Sequence, residues 1–107
     1  MADEGLQKDG RYADAYIRSR AERGYGPRRI AQELKARGVA ADLVRAALQA
    51  TEVDWDALAR DVRRKKFRGL PSDAQARAKQ MRFLEYRGFD AAQIRQALRP
   101  AANDEDL

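Results

Sequence analysis

The most informative part of the sequence is a six-residue segment that occurs twice, as LKARGV at residues 34–39 and as LEYRGF at residues 84–89. Each copy carries a leucine, then an Arg-Gly pair, then a large apolar residue. A glycine can adopt the left-handed backbone conformation that ends a helix, and the apolar residue after it packs back on the last turn. The segment therefore predicts the same helix end at two places in the chain.

The similarity extends outward from both copies. Positions after the segment match at the same offset of fifty residues, and positions before it match at an offset of 45. A five-residue lengthening at the start of the fifth helix accounts for the change. Two copies of one three-helix unit are therefore predicted. The matching positions are Val44 and Ile94, 47–48 and 97–98, Asp9 and Asp54, Ile17 and Val62, and 23–25 and 68–70.

Apolar residues recur throughout at the i, i+3, i+4 and i+7 spacing of amphipathic helices, and strand-like alternation is absent from the sequence. The fold class is therefore predicted to be all-α: two tandem three-helix repeats of six short helices, forming an elongated or curved module. The predicted helices are 11–23 with Asp9 as cap, 27–37 with Pro27 at the first position, 41–50, 54–67 with Asp54 as cap, 73–87 and 90–98. The predicted division is a linker or remnant of a preceding repeat at 1–10, repeats at 11–50 and 54–99, and a disordered acidic tail at 100–107.

Charge and composition narrow the class of protein. The 107 residues carry a net charge of +5 and no cysteine. Residues 11–100 hold 21 Lys and Arg against 11 Asp and Glu, a net charge of +10 that favours polyanions or acidic protein faces as partners. The alternative is a solvated basic surface. The sequence predicts no disulfide, no membrane span and no signal peptide, which favours the cytoplasm.

Catalysis is not expected. The sequence has no His and no Cys, and its hydroxyl nucleophiles besides tyrosines are Ser19, Thr51 and Ser72, without an imidazole base. The carboxylates at 54, 56 and 61 point in different directions on a helix, and residues 24–27 lack the Lys-Ser/Thr of a phosphate loop. The prediction is a non-enzyme with no cofactor and no metal.

Residues 30–48 resemble a DNA-reading helix-turn-helix, which is the alternative function of a stand-alone DNA-binding module. However, residues 35–37 extend the first helix by almost a turn before the glycine, and the second helix offers only Arg45 and Gln49 to read bases. A structural three-helix repeat is the better interpretation.

Two candidate binding regions stand out. On the predicted fourth helix Trp55 and Val62 share one side, and a basic stripe with one aromatic residue lies on the other. An aromatic ring among guanidinium groups suits a partner better than water. The second region is the loop around Tyr25, whose ring alternatively wedges across a helix junction. The predicted partner- or DNA-binding residues are Arg60, Arg63, Arg64, Phe67, Arg68, Tyr25, Arg28 and Arg29.

Three segments carry a resemblance to a known family. Residues 23–30 (RGYGPRRI), with Leu34 and residues 37–39 (RGV), resemble the core signature of the RecX family. Asp54 and Trp55 with LAR at 58–60 and KKF at 65–67 are similar to the family's next segment. Residues 83–89 (FLEYRGF) resemble its C-terminal repeat, and the match extends from Gly10 to Leu98.

The resemblance implies a monomeric cytoplasmic bacterial regulator of DNA repair, recombination and the SOS response. Such a protein binds the RecA–DNA filament, lies along its helical groove, contacts the DNA backbone weakly or within the filament, and inhibits recombinase, ATPase and co-protease activities. Family members typically carry three such repeats and this chain has room for two, so we expect a truncated product, a designed fragment or a short variant with less than full inhibition. Residues 4–6 resemble the end of a preceding repeat.

Overall fold

A computed structural model of the protein describes the backbone of residues 2–100 and the side chains of residues 9–100. Within residues 2–100 the secondary structure is six α-helices without strands, which confirms the predicted fold class. The predicted acidic tail lies almost wholly in residues 101–107, outside the described part. The helices are α1 (Ala2–Glu22), α2 (Pro27–Ala36), α3 (Ala41–Ala50), α4 (Trp55–Lys66), α5 (Ala74–Arg87) and α6 (Ala91–Ala97).

Helix α1 begins at Ala2, well before the predicted start near Arg11. The predicted linker or repeat remnant at 1–10 is therefore helical over residues 2–10, and Asp9 lies inside the helix instead of capping it. The physical reason is composition, because Ala, Glu, Leu, Gln and Lys in this segment are strong helix formers that offset a cost of about 1 kcal/mol for each glycine. The origin of this segment in a preceding repeat stays a prediction.

The other helix ends lie close to the predicted positions because local capping chemistry sets them. Asp54 accepts a hydrogen bond from the backbone of α4 at 3.1 Å, and Asp90 forms a reciprocal capping box with Gln93 at the start of α6. Gly38 and Gly88 have φ angles of 89° and 102°, so both copies of the repeated segment end their helices in the left-handed region. Gly69, which aligned with Gly24, has no positive φ, because the chain leaves α4 in extended conformation at Phe67.

Each repeat builds its own core, and the main helix–helix contacts lie within a repeat. The two cores correspond, since Leu34 and Leu84 are both fully buried. The first core comprises Ala13, Ile17, Ile30, Leu34, Val39 and Val44. The second comprises Ala59, Val62, Leu84, Phe89, Ile94, Ala97 and Leu98.

Trp55 links the two cores, because its half-buried side chain packs against both clusters at the start of α4. The molecule measures 56 × 25 × 19 Å along its principal axes, an elongated shape consistent with two units set side by side. The geometry of any surface that spans both units therefore depends on how they are joined.

Candidate functional site at the repeat junction

The two repeats are joined where the C-terminus of α5 meets the N-terminus of α2. The Gly26 N–H donates a hydrogen bond to the Arg87 carbonyl oxygen at 2.8 Å, and the Arg28 N–H donates to the Gly88 carbonyl oxygen at 2.9 Å. Terminal carbonyls of one helix thus satisfy terminal amides of another, and the negative end of the α5 dipole meets the positive end of the α2 dipole. The junction is therefore made of backbone and is well defined in geometry.

Two glycines permit this close approach. A Cβ added at Gly26 would lie 2.5 Å from the carbonyl carbon of Gly88 and 2.6 Å from its oxygen, and one added at Gly88 would overlap Arg29. Gly26 has a φ of −87°, which any residue can adopt. Its need for glycine is therefore one of space, whereas Gly88 needs glycine for both space and its positive φ.

The Tyr25 ring lies across the junction among three arginines. The guanidinium carbons of Arg20, Arg29 and Arg87 lie 4.0, 4.5 and 5.1 Å from the ring centroid. Arg20 belongs to α1, Arg29 to α2 and Arg87 to α5, so one ring contacts three helices from both repeats. This arrangement is the wedge that the sequence left as an alternative, and a partner-binding role for Tyr25 stays a prediction.

A single carboxylate neutralises part of this arginine cluster. Glu33 accepts hydrogen bonds from the Tyr16 hydroxyl at 2.8 Å, from Arg20 at 2.9 and 3.0 Å, and from Arg29 at 3.2 Å. Burial alone would raise the pKa of Glu33, but these three donors outweigh it and hold the pKa below its ordinary value. Arg29 also donates to the Tyr86 carbonyl oxygen at 3.3 Å, so the network extends from the first repeat into the second.

The predicted basic stripe on α4 is divided by the fold. Arg63 is only 4% exposed and does not belong to a solvent-facing stripe. Arg60 is half-buried and donates to the Gln96 carbonyl oxygen at 3.4 Å. Phe67 is half-buried and packs edge-on against Phe83, with ring centroids 5.5 Å apart at 88°. The exposed members are Arg64, Arg68 and, in the second predicted region, Arg28.

The burial of Arg63 has a geometric cause. At 100° per residue it lies about 40° from the buried Ala59, at the edge of the apolar face. Both α5 and α6 pack against α4, so the covered face is wider than the apolar residues alone indicate. The apolar stem of an arginine packs readily along such an edge, and here the packing of α5 and α6 covers the head group as well.

A groove lies on one side of the junction between α1, α4 and α5, with a cavity volume of about 250 Å³. Its walls come from both repeats, and Arg87 crosses between them, since it donates to the Arg23 carbonyl oxygen at 3.3 Å. The Phe83 ring lies 5.6 Å from the Lys66 ammonium and 5.3 Å from the Arg87 guanidinium. The lining residues are Glu22, Arg23, Gly24, Leu58, Asp61, Val62, Lys65, Lys66, Phe83 and Arg87.

A second groove lies between α2 and the end of α5. It contains Arg28 and Arg29 from the predicted site, together with the exposed ring of Tyr86, at 75% exposure. The guanidinium of Arg29 lies 5.4 Å from the Tyr86 ring centroid. The structure thus brings Tyr25, Arg28 and Arg29 together at the junction, and leaves Arg64 and Arg68 on α4 and the turn after it.

Sequence reasoning missed the residues that α5 contributes. Phe83 and Arg87 are about sixty residues from Arg23 in the chain, so no local pattern joins them. A signal was nevertheless present at Gly26. A glycine next to a helix-starting proline, where no positive φ is required, indicates close approach of another backbone.

The structure contains, among its described residues, no helix with the length and apolar character needed to cross a bilayer.

Comparison with protein families gives two consecutive matches. The family model described as "RecX, second three-helix domain" matches residues 9–48, and "RecX, third three-helix domain" matches residues 52–98. The two matched ranges coincide closely with the two structural repeats. They also agree with the RecX resemblance of the three sequence segments.

Curated relatives carry the same name. The chain is 50% identical over 107 residues to "Regulatory protein RecX" of Halorhodospira halophila, with 99% of this chain and 65% of that protein covered. Proteins of the same name from Chromohalobacter salexigens and Pseudomonas putida are 46% and 48% identical, over 92% and 83% of this chain and 64% and 58% of their own lengths. The chain thus spans somewhat less than two thirds of the length of these relatives.

Proposed function

The chain belongs to the RecX family of regulatory proteins, and on that premise we propose that it binds the RecA–DNA filament and inhibits the recombinase, ATPase and co-protease activities of RecA. Its setting would be the bacterial cytoplasm, as a monomer acting in DNA repair, recombination and the SOS response. It would act by binding rather than by catalysis, and it would need neither a cofactor nor a metal.

The observation that carries the proposal is the backbone junction between the repeats. Two hydrogen bonds of 2.8 and 2.9 Å join the repeats, and Tyr25 packs among arginines from both. The net positive charge of residues 11–100 is therefore carried on one elongated unit with fixed spacing between its cationic helices. A filament offers a partner with a regularly spaced surface, and a preorganised unit binds such a surface without the cost of ordering its two halves.

The alternative of a stand-alone DNA-binding module is weaker on the same structure. Helix α3, the counterpart of a recognition helix, presents Arg45, which forms an ion pair with Asp42 at 3.2 Å on the same helix. Gln49 is its other exposed base-reading side chain. Two such side chains offer little direct readout of base edges.

The decisive experiment compares partners at one salt concentration. Fluorescently labelled protein is titrated with RecA filaments formed on single-stranded DNA with a non-hydrolysable ATP analogue, and separately with the same DNA alone. We expect tighter binding to the filament, and inhibition of DNA-dependent ATP turnover when the protein is added to RecA. Equal affinity for the filament and the bare DNA would refute the proposal and favour the DNA-binding module.

A further inference from the structure

We propose that the groove between α1, α4 and α5 is a docking site for an acidic protein segment with one apolar anchor side chain. This inference deepens the proposed function. It rests on that function insofar as the docked segment belongs to RecA. It assigns recognition to a groove that is formed by both repeats and includes Phe83 and Arg87, which are not members of the predicted basic stripe.

The floor of the groove is apolar. Leu58 and Phe83 are half-buried, and Val62 belongs to the second core, so the surface offers a shallow hydrophobic base. The Phe67 ring meets Phe83 edge-on, with 5.5 Å between the ring centroids, which fixes the Phe83 ring in place. A cavity of about 250 Å³ is smaller than typical small-molecule pockets of roughly 300–1,000 Å³, and suits one or two partner side chains.

The rim of the groove is mainly cationic. Four cations line it against two carboxylates, those of Glu22 and Asp61. Lys65 and Lys66 are exposed, and the ion pairs found between described side chains include none of the groove residues. An apolar base ringed by positive charge complements an apolar anchor flanked by Asp and Glu.

A nucleic acid fits this groove less well than a protein segment. Single-stranded DNA gains affinity from bases stacked on exposed rings and from phosphates along a cationic track. Phe83 is half-buried between Phe67, Lys66 and Arg87, which restricts access to its ring. The two rim carboxylates would also repel phosphates, whereas a peptide can direct its acidic side chains away from them.

The groove depends on the assembled tandem. Arg23 and Gly24 come from the first repeat, and a Cβ added at Gly24 would lie 3.1 Å from a Val62 methyl group of the second. The hydrogen bond from Arg87 to the Arg23 carbonyl oxygen then holds the two walls together. Docking in this groove would therefore recognise the pair of repeats rather than either one.

The first test needs no RecA. The 107-residue chain, labelled with ¹⁵N, is titrated with a synthetic decapeptide of Asp and Glu around one central Phe, and with the same peptide carrying Ala in place of Phe. We expect amide shifts centred on residues 58–66 and 83–87, and at least about fivefold weaker binding of the Ala peptide, as for loss of a buried anchor. Equal binding of both peptides, or shifts elsewhere, would overturn the proposed anchor site.

The second test uses filaments and charge changes of opposite sign. The double variant Lys65→Glu/Lys66→Glu should bind the filament about tenfold more weakly at low salt, since reversed rim charges slow association. Lys35→Glu/Lys79→Glu, at two exposed lysines outside the groove, makes the same change in net charge and serves as the matched control. Asp61→Asn should bind more tightly than the wild type, a gain that misfolding cannot imitate.

The outcomes separate the two proposals. If the wild-type protein does not prefer the filament to bare DNA, the proposed function fails, and the peptide titration alone decides the groove chemistry. If the wild type prefers the filament but groove and control variants weaken it equally, the groove proposal is refuted and the proposed function stands. A loss confined to bare DNA would assign the groove to phosphates and would likewise refute docking of a protein segment.

Discussion

Replacing Gly26 with alanine tests whether the junction is set by backbone contact. The new Cβ would lie 2.5 Å from the Gly88 carbonyl carbon, against about 3.4 Å for ordinary contact, so the two backbones must separate by about 0.9 Å. That shift stretches the hydrogen bonds of 2.8 and 2.9 Å beyond useful length. Two broken bonds at about 1–2 kcal/mol each, less about 0.4–1 kcal/mol for the stiffer unfolded chain, predict a net loss of about 1–3.6 kcal/mol, centred above 2 kcal/mol.

Two other glycines provide matched controls. Gly38 has a φ of 89° but open space around an added Cβ, so Gly38→Ala should cost only about 1 kcal/mol from backbone strain. Gly10 lies inside α1 with open space and no positive φ, so Gly10→Ala should stabilise the helix by about 0.5–1 kcal/mol.

Urea unfolding followed by circular dichroism measures the three free energies of unfolding under one set of conditions. The expected order of cost is Gly26→Ala, then Gly38→Ala, with Gly10→Ala more stable than the wild type. A cost for Gly26→Ala no larger than that of Gly38→Ala would refute the close approach of the two helix ends.

Three further predictions concern packing, pH and recognition. Trp55→Ala should lower the free energy of unfolding by about 3 kcal/mol, with both repeats still unfolding in one transition, because this half-buried ring packs on both cores. Unfolding is followed by circular dichroism, since the variant has no tryptophan fluorescence. The pKa of Glu33 is lowered in the folded protein, so the Glu33 carboxylate stabilises the fold above the ordinary pKa of 4.5, and this stabilisation is lost as the pH falls through the folded pKa. The loss of stability caused by Glu33→Gln should therefore shrink in acid. A loss that urea titrations find independent of pH would contradict the hydrogen-bond network around Glu33. Arg60→Glu/Arg64→Glu should weaken filament binding at unchanged helix content and reduce the log–log salt slope by about one unit per lost phosphate contact. Undiminished binding would show that the filament does not contact this face of α4.

The sequence predicted most of the fold because its helix ends are set locally. Asp54, Pro27 and the glycines at 38 and 88 act on their own turns, so their positions can be read without tertiary structure. The predicted start of α1 was wrong because Asp9 was interpreted as a cap, although most of the residues around it favour helix.

The candidate site was less predictable because its geometry is tertiary. Helical periodicity gives the angle of Arg63 around α4, but not the width of the face that α5 and α6 cover. The contact of Gly26 with Gly88 joins residues 62 apart in the chain. The groove between α1, α4 and α5 lies beside that contact and is formed by both repeats. The sequence signal of this contact was Gly26 itself, a glycine before Pro27 at a position where no positive φ is required.

The hydrogen bonds between the end of α5 and the start of α2 also set an order of events during synthesis. The first amides of α2 leave the ribosome some sixty residues before the carbonyls of Arg87 and Gly88 that accept their hydrogen bonds. At about 5–20 residues per second, this interval is roughly 3–12 s. During that time the N–H groups of Gly26 and Arg28 face water or any other acceptor within reach. The nascent first repeat therefore has a defined period in which a chaperone or a second nascent chain can occupy the place of α5, and slower translation of residues 30–88 should prolong it.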